Sequence, residues 1–393
     1  MGLRSVSSEK RPITIVAHDV GPIGGMERQL SELIIGLLRR GFQVTVIARR
    51  CDLPPNQSLR WIRVPGPAKP FPLAYPWFFI VGTWLVWRHR AGPVHTTGAI
   101  VWNHADVCTI HLCHMASHTK AETAWQVLKF PHRMNRRLSA AMARFAERLL
   151  FRPSRIRHFV GVSRGITVEV REHFPKISRQ ITVISNAVDQ EVFRPNSPER
   201  GQVRIAFGLK ASDLVAIFVG GDWERKGLRF AIEAVASRSE CHLLVVGAGD
   251  VERFASIARA LNAEGRVHFA GRRKDTARYY SAADVFLLPT FYEADPLVGY
   301  EAAACGLPLL VTRVSGVEDL LRDGENGWFI SRDSATIRVH LQALQTDTAL
   351  RSRMAARSRE LVAPYTWDRV VDDYVDLYER LQLARNAAVP LKV

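Results

Sequence analysis

The chain has 393 residues and a hydrophobic fraction of 47%, which is enough apolar material for two globular domains. Its 54 lysines and arginines and 38 aspartates and glutamates give a formal net charge of +16. Such a charge favours nucleic acid, an anionic membrane surface or a phosphorylated substrate as the partner. The alternative is a basic protein without a special partner. Five scattered cysteines exclude a disulfide framework and indicate a reducing compartment.

The sequence contains neither a signal peptide nor a membrane-spanning segment that we can identify. The opening residues MGLRSVSSEK have no apolar core, and Val6 breaks the N-myristoylation pattern. The longest uncharged run, residues 71–87, falls short of the ~20 apolar residues that span a bilayer and is interrupted by Pro72 and Pro76. We expect a buried or interfacial helix there, from about Tyr75, and a cytoplasmic protein.

A strand at residues 13–17, a glycine loop, a helix at residues 26–40 and a strand at residues 43–48 form a first βαβ unit. The loop holds Gly24 and Gly25, and a glycine loop before a helix lets a backbone approach a phosphate closely. These glycines do not form the dinucleotide fingerprint, and the sequence has no Walker motif. By itself, such a loop is more often a plain tight turn.

Histidines and cysteines cluster where two short apolar runs end. Their spacing matches no common zinc signature, and a strand would point alternate members to opposite faces. We therefore expect no metal site among the six residues, which are His104, Cys108, His111, Cys113, His114 and His118.

A strongly basic stretch follows at residues 129–157, with one acidic residue, Glu147. Apolar residues alternate with the charges at helical spacing, so the stretch predicts an amphipathic helix with a cationic face. Such a face suits an anionic membrane at ~1 kcal/mol per basic residue near the headgroups, and the plain alternative is a solvated face. The basic residues are Lys129, Arg133, Arg136, Arg137, Arg144, Arg148, Arg152, Arg155 and Arg157.

A Pro-rich polar segment, residues 194–201, predicts an interdomain linker, and a second series of strands and helices follows it. The fold class is therefore α/β, with two doubly wound, Rossmann-like domains that face each other across a cleft. We place the first domain at residues 1–193 and the second at residues 194–365.

Charged residues mark two loops of the second domain. Arg225 and Lys226 lie in the segment GGDWERKG, at a strand-to-helix turn where phosphates are expected. Glu293 follows an apolar strand and Glu301 lies in the next short helix, with seven residues between them. This separation suits contacts with two parts of one elongated ligand better than a shared proton.

The paired glutamates with their loop, FYEADPLVGYEAAACG, resemble a motif of the GT-B fold retaining glycosyltransferases of family 4, also called glycosyl transferases group 1. GGDWERKG and VVGAGD resemble the corresponding segments of the lipopolysaccharide core glucosyltransferases in that family. In the segment before Lys226 the family commonly has an arginine where this chain has Gly221, and Arg225 takes its place. The resemblance covers nearly the whole chain and is strongest over residues 218–330.

The resemblance implies roles for individual residues. Glu301 would bind the ribose hydroxyls, Glu293 would face the donor sugar, and a final helix at residues 366–385 would pack back on the first, acceptor-binding domain. The implied catalytic residues are His111, Glu293, Lys226 and Arg225. The implied donor-binding residues are Gly24, Gly25, Gly247, Gly249, Leu297, Val298 and Glu301. Asp295 and Pro296 depart from the family pattern, which leaves the identity of the sugar open.

The function implied is transfer of a hexose from a UDP-sugar, such as UDP-glucose, to a lipid-linked or lipopolysaccharide-core acceptor, with retention of anomeric configuration. The partners would be the nucleotide-sugar, an anionic glycolipid and the inner face of an anionic membrane. We expect no cofactor and no divalent metal, because no D-x-D motif lies near the cleft. The alternatives are a GDP-mannose-dependent mannosyltransferase, a GT-B epimerase, and a basic nucleic-acid- or membrane-binding protein with an inactive site. Aromatic-basic signatures of nucleic-acid modules are lacking, so we expect no nucleic acid partner.

Overall fold

The computed structural model describes residues 11–22, 24–121 and 130–387, with the side chains of these residues except 118–121, 130–133, 197 and 385–387. Lys129 and the opening decapeptide lie outside the described residues, as do the side chains of His118 and Arg133. The chain forms two compact units, of which unit 1 comprises Met1–Asn186 and Trp367–Val393 and unit 2 comprises Ala187–Thr366.

Unit 1 is built on a parallel sheet of seven strands in the order β5-β3-β1-β6-β7-β8-β9, beside a two-stranded pair of β2 and β4. The strands are β1 (Arg11–Val16), β2 (Asp19–Val20), β3 (Phe42–Ala48), β4 (Arg50–Cys51), β5 (Leu59–Arg63), β6 (Val94–Thr97), β7 (Ala105–Ile110), β8 (Ile156–Gly161) and β9 (Ile181–Val183). The inner strands are buried almost throughout, as expected of parallel strands covered on both faces.

The helices of unit 1 are α1 (Gly25–Arg39), α2 (Phe71–His89), α3 (His114–Ala121), α4 (Phe130–Leu150) and α5 (Arg164–His173), with a 3-10 turn at Pro175–Gln180. Leu30, Leu33, Ile34 and Leu37 bury one face of α1, in agreement with the helical spacing of the sequence. Helix α2 begins four residues before the expected start, so Pro72 lies in its first turn. A proline is tolerated there because the N–H groups of the first turn have no partner within the helix.

Unit 2 contains a six-stranded parallel sheet in the order β12-β11-β10-β13-β14-β15. Its strands are β10 (Leu214–Val219), β11 (Cys241–Val246), β12 (Val267–Gly271), β13 (Val285–Leu288), β14 (Leu309–Thr312) and β15 (Gly327–Ile330). Its helices are α6 (Ser197–Ala206), α7 (Trp223–Lys226), α8 (Leu228–Ala236), α9 (Val251–Ala260), α10 (Thr276–Ala282), α11 (Leu297–Ala304), α12 (Val317–Leu320), α13 (Ser334–Thr346) and α14 (Thr348–Val362), with a 3-10 turn at Glu264–Arg266.

The direction of strand succession reverses between β10 and β13 in unit 2, and between β1 and β6 in unit 1. Ligands of doubly wound sheets bind at the carboxyl ends of the strands beside such a reversal. The loops that follow β10 and β13 are therefore the place to look for a site in unit 2. In unit 1 the corresponding loops are those after β1 and β6, with β7 next in the sheet.

Unit 2 begins at Ala187, seven residues before the boundary predicted from the sequence. Val188 and Phe193 belong to its hydrophobic core, and the Val188 N–H donates to the Tyr365 carbonyl at 3.2 Å. The segment 194–201 is not a linker, because α6 starts within it and the side chain of Asn196 accepts from the Glu199 N–H at 3.3 Å. A polar cap followed by proline is also the signature of a helix N-terminus.

Helix α15 (Trp367–Ala387) follows unit 2 in the chain but belongs to unit 1. Its inner face is formed by Val371, Tyr374 and Tyr378, all buried. It packs so closely on α1 that a Cβ atom added at Gly36 would overlap the Val371 side chain. The C-terminal helix thus completes the core of the first unit.

Candidate active site

The loop after β10 brings two basic side chains back toward the strand end. Gly220 has a φ of +135°, and a Cβ atom there would lie 2.7 Å from the Lys226 side chain. Glycine is therefore required, both by the backbone conformation and by the lysine that crosses over it. The Trp223 indole N–H donates to the Gly220 carbonyl at 2.8 Å and fixes the turn into α7.

Glu293, in the loop after β13, collects three donors on a single oxygen atom. Its Oε1 lies 2.7 Å from Nζ of Lys226, 3.0 Å from Nη1 of Arg225 and 3.2 Å from the Thr290 hydroxyl. Arg225 also donates to the Tyr292 carbonyl. The structure therefore joins three of the residues implied as catalytic into one cluster, through the neighbouring positions of β10 and β13 in the sheet.

The charge state of this cluster follows from its burial and its pairs. Burial alone would raise the pKa of the Glu293 carboxyl, but Lys226 and Arg225 outweigh it and hold that pKa below its ordinary value. Glu293 is thus a carboxylate at neutral pH. Asp222 also lies 3.2 Å from Nε of Arg225, so two cations and two carboxylates meet at the carboxyl ends of β10 and β13 and their formal charges balance.

Glu301 lies in α11 and has a different partner. It is 5% exposed, and its Oε2 accepts from the Tyr280 hydroxyl at 2.9 Å. Leu297 and Val298 occupy the first turn of the same helix, whose Pro296 N-cap provides no side-chain hydrogen bond. Sequence reasoning did not identify Tyr280, because it lies on α10 and only the fold brings it to the glutamate.

Asp295 is buried rather than exposed to a ligand. Its Oδ1 accepts from the Tyr300 hydroxyl at 2.9 Å, and a Cβ atom at Gly316 would overlap it. Burial and the nearby Asp295 charge raise the pKa of Tyr300, so the phenol stays protonated and can donate. This departure from the family pattern therefore organises the loop before α11.

Gly247 and Gly249 follow β11 and allow two loops to touch. At Gly247, with a φ of +141°, a Cβ atom would overlap the Gly220 carbonyl, and at Gly249 it would overlap the Trp223 ring. These two implied donor-binding glycines thus lie directly against the loop that carries Lys226.

His111 directly follows β7 in unit 1, as the sequence predicted. Its Nε2 lies 3.2 Å from Oε1 of Gln29, an acceptor, so Nε2 carries the proton. Nδ1 is buried and has no hydrogen-bond partner among the described residues. Burial lowers the pKa of His111 to about 4, which leaves a neutral ring whose Nδ1 can accept a hydrogen bond.

A buried chain of hydrogen bonds connects His111 to the C-terminal helix. Gln29 hydrogen-bonds the Tyr374 hydroxyl, which lies 2.8 Å from that of Thr109. Thr109 in turn lies 2.8 Å from Nε2 of His95, whose Nδ1 is 2.6 Å from the Tyr378 hydroxyl. The five side chains that follow His111 in this chain are all under 4% exposed. The side chains of α15 therefore set the orientation of Gln29 and, through it, the tautomer of His111.

Gly24 and Gly25 lie at the start of α1, with Gly24 as its N-cap and Gly25 as its first residue. Together with His111 they belong to unit 1, whereas the other implied site residues belong to unit 2.

The basic stretch forms helix α4 only up to Leu150. Arg155 instead lies over the Trp102 ring at 3.8 Å, and Arg157 pairs with Asp106 at 3.3 Å. Within the described part of the chain, no helix is long and apolar enough to cross a membrane. The same residues contain no group of three or more His, Cys, Asp or Glu side chains that could hold a metal ion.

Two family descriptions match the sequence. Residues 23–192 match Glycosyltransferase Family 4, and residues 213–347 match Glycosyl transferases group 1. The second match contains Arg225, Lys226, Glu293 and Glu301, and the first contains His111 and both glycines of the α1 loop.

Among similar proteins, D-inositol 3-phosphate glycosyltransferase of Nocardiopsis dassonvillei is 31% identical over 240 residues, which are 57% of this chain and 55% of that protein. Lipopolysaccharide glucosyltransferase WaaG of Escherichia coli is 33% identical over 172 residues, 42% of this chain and 46% of that protein. The chain thus spans about half the length of these relatives.

Solved structures agree with the fold over nearly the whole chain. The crystal structure of WaaG, a glycosyltransferase involved in lipopolysaccharide biosynthesis, superposes with a TM-score of 0.77 at 22% identity, covering 93% of this chain and 99% of that one. Anabaena HepE in complex with UDP and glucose gives a TM-score of 0.71 at 16% identity, covering 93% and 98%. At these identities the likeness concerns the fold, which is the GT-B fold expected from the sequence.

Proposed function

Because the chain belongs to the family 4 glycosyltransferases of the GT-B fold, we propose that it transfers a hexose from a UDP-sugar to an anionic lipid-linked acceptor, with retention of configuration. The observation that carries this proposal is the cluster of Lys226, Arg225 and Glu293 at the strand reversal of unit 2. The structure of Anabaena HepE, which has a similar fold, was solved in complex with UDP and glucose.

Departure of a UDP leaving group places negative charge on a diphosphate oxygen. Lys226 and Arg225 supply the compensating charge, and their bonds to Glu293 hold them in position before the reaction begins. Charges fixed in advance need no reorganisation as the bond breaks, which makes such stabilisation the largest contribution in many enzymes. Gly220 lets the Lys226 side chain cross the strand end, and Gly247 lets the Gly220 carbonyl approach, so both glycines support the loop that presents the lysine.

The remaining residues divide the donor between them. Glu301, held by Tyr280, accepts from the ribose hydroxyls, while the first-turn N–H groups of α11 face the donor. Neutral His111 accepts a hydrogen bond at Nδ1 from a hydroxyl group of the sugar. Lys226 and Arg225 compensate the phosphate charge without a divalent metal, so activity is expected to persist in chelator.

The acceptor half of the proposal rests on unit 1. Helix α4 exposes Arg136, Arg137 and Arg148, and α2 exposes Trp77 and Trp87. Cationic side chains next to interfacial tryptophans are typical of a surface that rests on an anionic membrane. Two relatives are named for lipopolysaccharide and inositol phosphate acceptors, which are consistent with an anionic acceptor. The enzyme would then act in the cytoplasm, on the inner face of the membrane.

Calorimetry against UDP-glucose, UDP-galactose, GDP-mannose and ADP-glucose tests the donor directly, followed by hydrolysis assays of whatever binds. We expect a UDP-hexose to bind most tightly and to be hydrolysed slowly without acceptor. Preferential binding of GDP-mannose would establish the mannosyltransferase alternative. Binding of none of them, together with salt-dependent binding of nucleic acid, would contradict the proposal.

A further inference from the structure

An apolar groove of about 480 Å³ runs between α2 and α4 in unit 1. Tyr75, Phe79 and Ile80 form one wall, and Met142, Phe145 and Leu149 form the other. None of these side chains carries a charge, and the Tyr75 hydroxyl is already engaged with the Ala99 carbonyl. The groove can therefore accept hydrocarbon and little else.

The walls of the groove remain in water within the described part of the chain. Ile80 and Phe145 are each 68% exposed, although both are large and apolar. Contiguous apolar surface of this kind marks a binding site more often than a solvated face. Its occupant has to be apolar along its length.

The charges beside the groove identify the occupant further. Helix α4 presents Arg136, Arg137 and Arg148 at its exposed surface. Its acidic residue, Glu147, points inward and is 2% exposed, where it accepts from the backbone N–H groups of His114 and Met115. An apolar channel with a cationic rim is complementary to a hydrocarbon chain that carries an anionic head.

A pocket at His111 lies beside the groove. This second pocket, of about 240 Å³, is lined by His111 and His114, and Tyr75 is part of the wall of both cavities. On α4, Ala143 and Glu147 line the second pocket while Met142 and Ala146 line the groove. Among the residues that the structure describes, the pocket at His111 contains the Glu147 carboxylate and no lysine or arginine, so an anionic head suits the exposed arginines of α4 better than this pocket.

We propose that the groove between α2 and α4 binds the hydrocarbon chain of the acceptor lipid, with the anionic head of that lipid at the exposed arginines of α4. This inference rests on the proposed function for the choice of acceptor, and it adds that the enzyme recognises the lipid tail itself. A bilayer that merely attracts α4 would bind without entering the groove.

Octyl, decyl and dodecyl phosphate, each below its micelle concentration, serve as probes in calorimetry with the whole chain. Affinity should rise about fourfold for each added methylene, the fold-change equivalent of ~0.8 kcal/mol per buried CH2 group. Ile80→Ser and Phe145→Ser should flatten this dependence. Ile205→Ser, at a position in unit 2 that is 82% exposed, is the matched control and should retain it.

The variant Arg148→Ala reports where the head lies. Dodecyl phosphate should bind this variant less tightly than the wild-type chain, whereas dodecanol, which has no charge, should bind both equally. Equal affinity for all three probes would overturn the proposal. A loss of chain-length dependence in Ile205→Ser as large as that in Phe145→Ser would overturn it as well. Equal affinity of dodecyl phosphate for Arg148→Ala and for the wild-type chain would overturn it too.

Hydrolysis of UDP-glucose without any amphiphile separates this inference from the proposed function. Hydrolysis without dependence on chain length would retain the donor assignment and reject the groove. Dependence on chain length in a protein that binds no nucleotide-sugar would retain a lipid-binding groove and reject the transferase. If Phe145→Ser instead converts a dimer into a monomer, the groove is a contact between copies and the proposal is wrong.

Discussion

The ammonium group of Lys226 lies 2.7 Å from Oε1 of Glu293, although 67 positions separate the two residues in the sequence. Lysine comes from the helix after β10 and glutamate from the loop after β13, and these strands are neighbours at the reversal of the sheet. The pair therefore exists only because the topology crosses over at this point. It also means that neither residue can be changed without affecting the other.

Lys226→Ala should lower donor turnover by ~10²–10³, the usual effect of removing one group that stabilises developing charge, and should weaken UDP binding. Steady-state kinetics and UDP titration measure both effects. Lys274→Ala removes an exposed lysine from the same unit and serves as the control. An unchanged rate and affinity in folded Lys226→Ala would disprove the role assigned to the lysine.

Glu293 and Glu301 should perform separate tasks, since they bond to different partners. Glu301→Gln should weaken UDP and UDP-sugar alike and raise the donor KM, because ribose contacts stabilise ground and transition states equally. Glu293→Gln should mainly lower kcat, because a carboxylate that faces the donor sugar matters most as positive charge develops on the sugar in the transition state. UDP titrations and steady-state rates on both variants test this prediction. An equal loss of UDP affinity in the two variants would show that the glutamates do not perform separate tasks.

His111 should titrate with a pKa of about 4, because burial disfavours its charged form. The folded state then binds fewer protons than the unfolded state, whose histidine has a pKa of ~6.5, so this contribution to stability is complete above ~6.5 and is lost as the pH falls toward 4. Nitrogen NMR of the ring as a function of pH measures it. A midpoint near 6.5 in the folded protein would show that the ring is solvated.

Tyr374→Phe should destabilise the chain by ~1–3 kcal/mol, because it leaves the buried Thr109 and Gln29 groups without a partner. Tyr378→Phe is a matched change one turn along α15 and should cost a similar amount through His95. Only Tyr374→Phe should also alter the His111 tautomer seen by NMR, because it releases Gln29. Identical His111 spectra in both variants would contradict the hydrogen-bonded chain.

Anionic vesicles should bind the protein more tightly than neutral ones, and added salt should weaken the binding. Reversing the charge at Arg136, Arg137 and Arg148 should reduce binding, since all three are exposed on α4. Reversing three exposed arginines of unit 2 changes the net charge equally and is the control, at Arg322, Arg338 and Arg353. Cosedimentation with vesicles measures the binding of both triple variants. An equal loss of binding in the two would show that net charge, and not a docking face on α4, determines the binding.

The strands were predictable because they are short apolar runs bounded by glycine and polar residues, as at 214–220 and 284–290. Helix α15 was predictable for the same kind of reason, since its tyrosines recur at helical spacing. The GT-B fold expected from the motifs was confirmed by the solved structures. The roles assigned to individual site residues stay predictions.

Pairings across the sheet were not predictable. The contact of Glu293 with Lys226, and that of Glu301 with Tyr280, depend on which strands become neighbours. The linker assignment was wrong because the polar cap of α6 has the composition of a loop. Local composition therefore identified the elements and the loops that carry charge, whereas the partners of those charges required the fold.

The place of α15 in unit 1 has a consequence for biosynthesis. The strands and the first helices of unit 1 leave the ribosome first. Until α15 is made, the surface at Gly36 lacks its contact with Val371, and the Thr109 hydroxyl lacks its hydrogen bond to Tyr374. Unit 2 has all of its residues by Thr366, before α15 is made. Domains generally fold as units during synthesis. Here the second unit can be completed first, and the first unit closes last, when its final helix arrives.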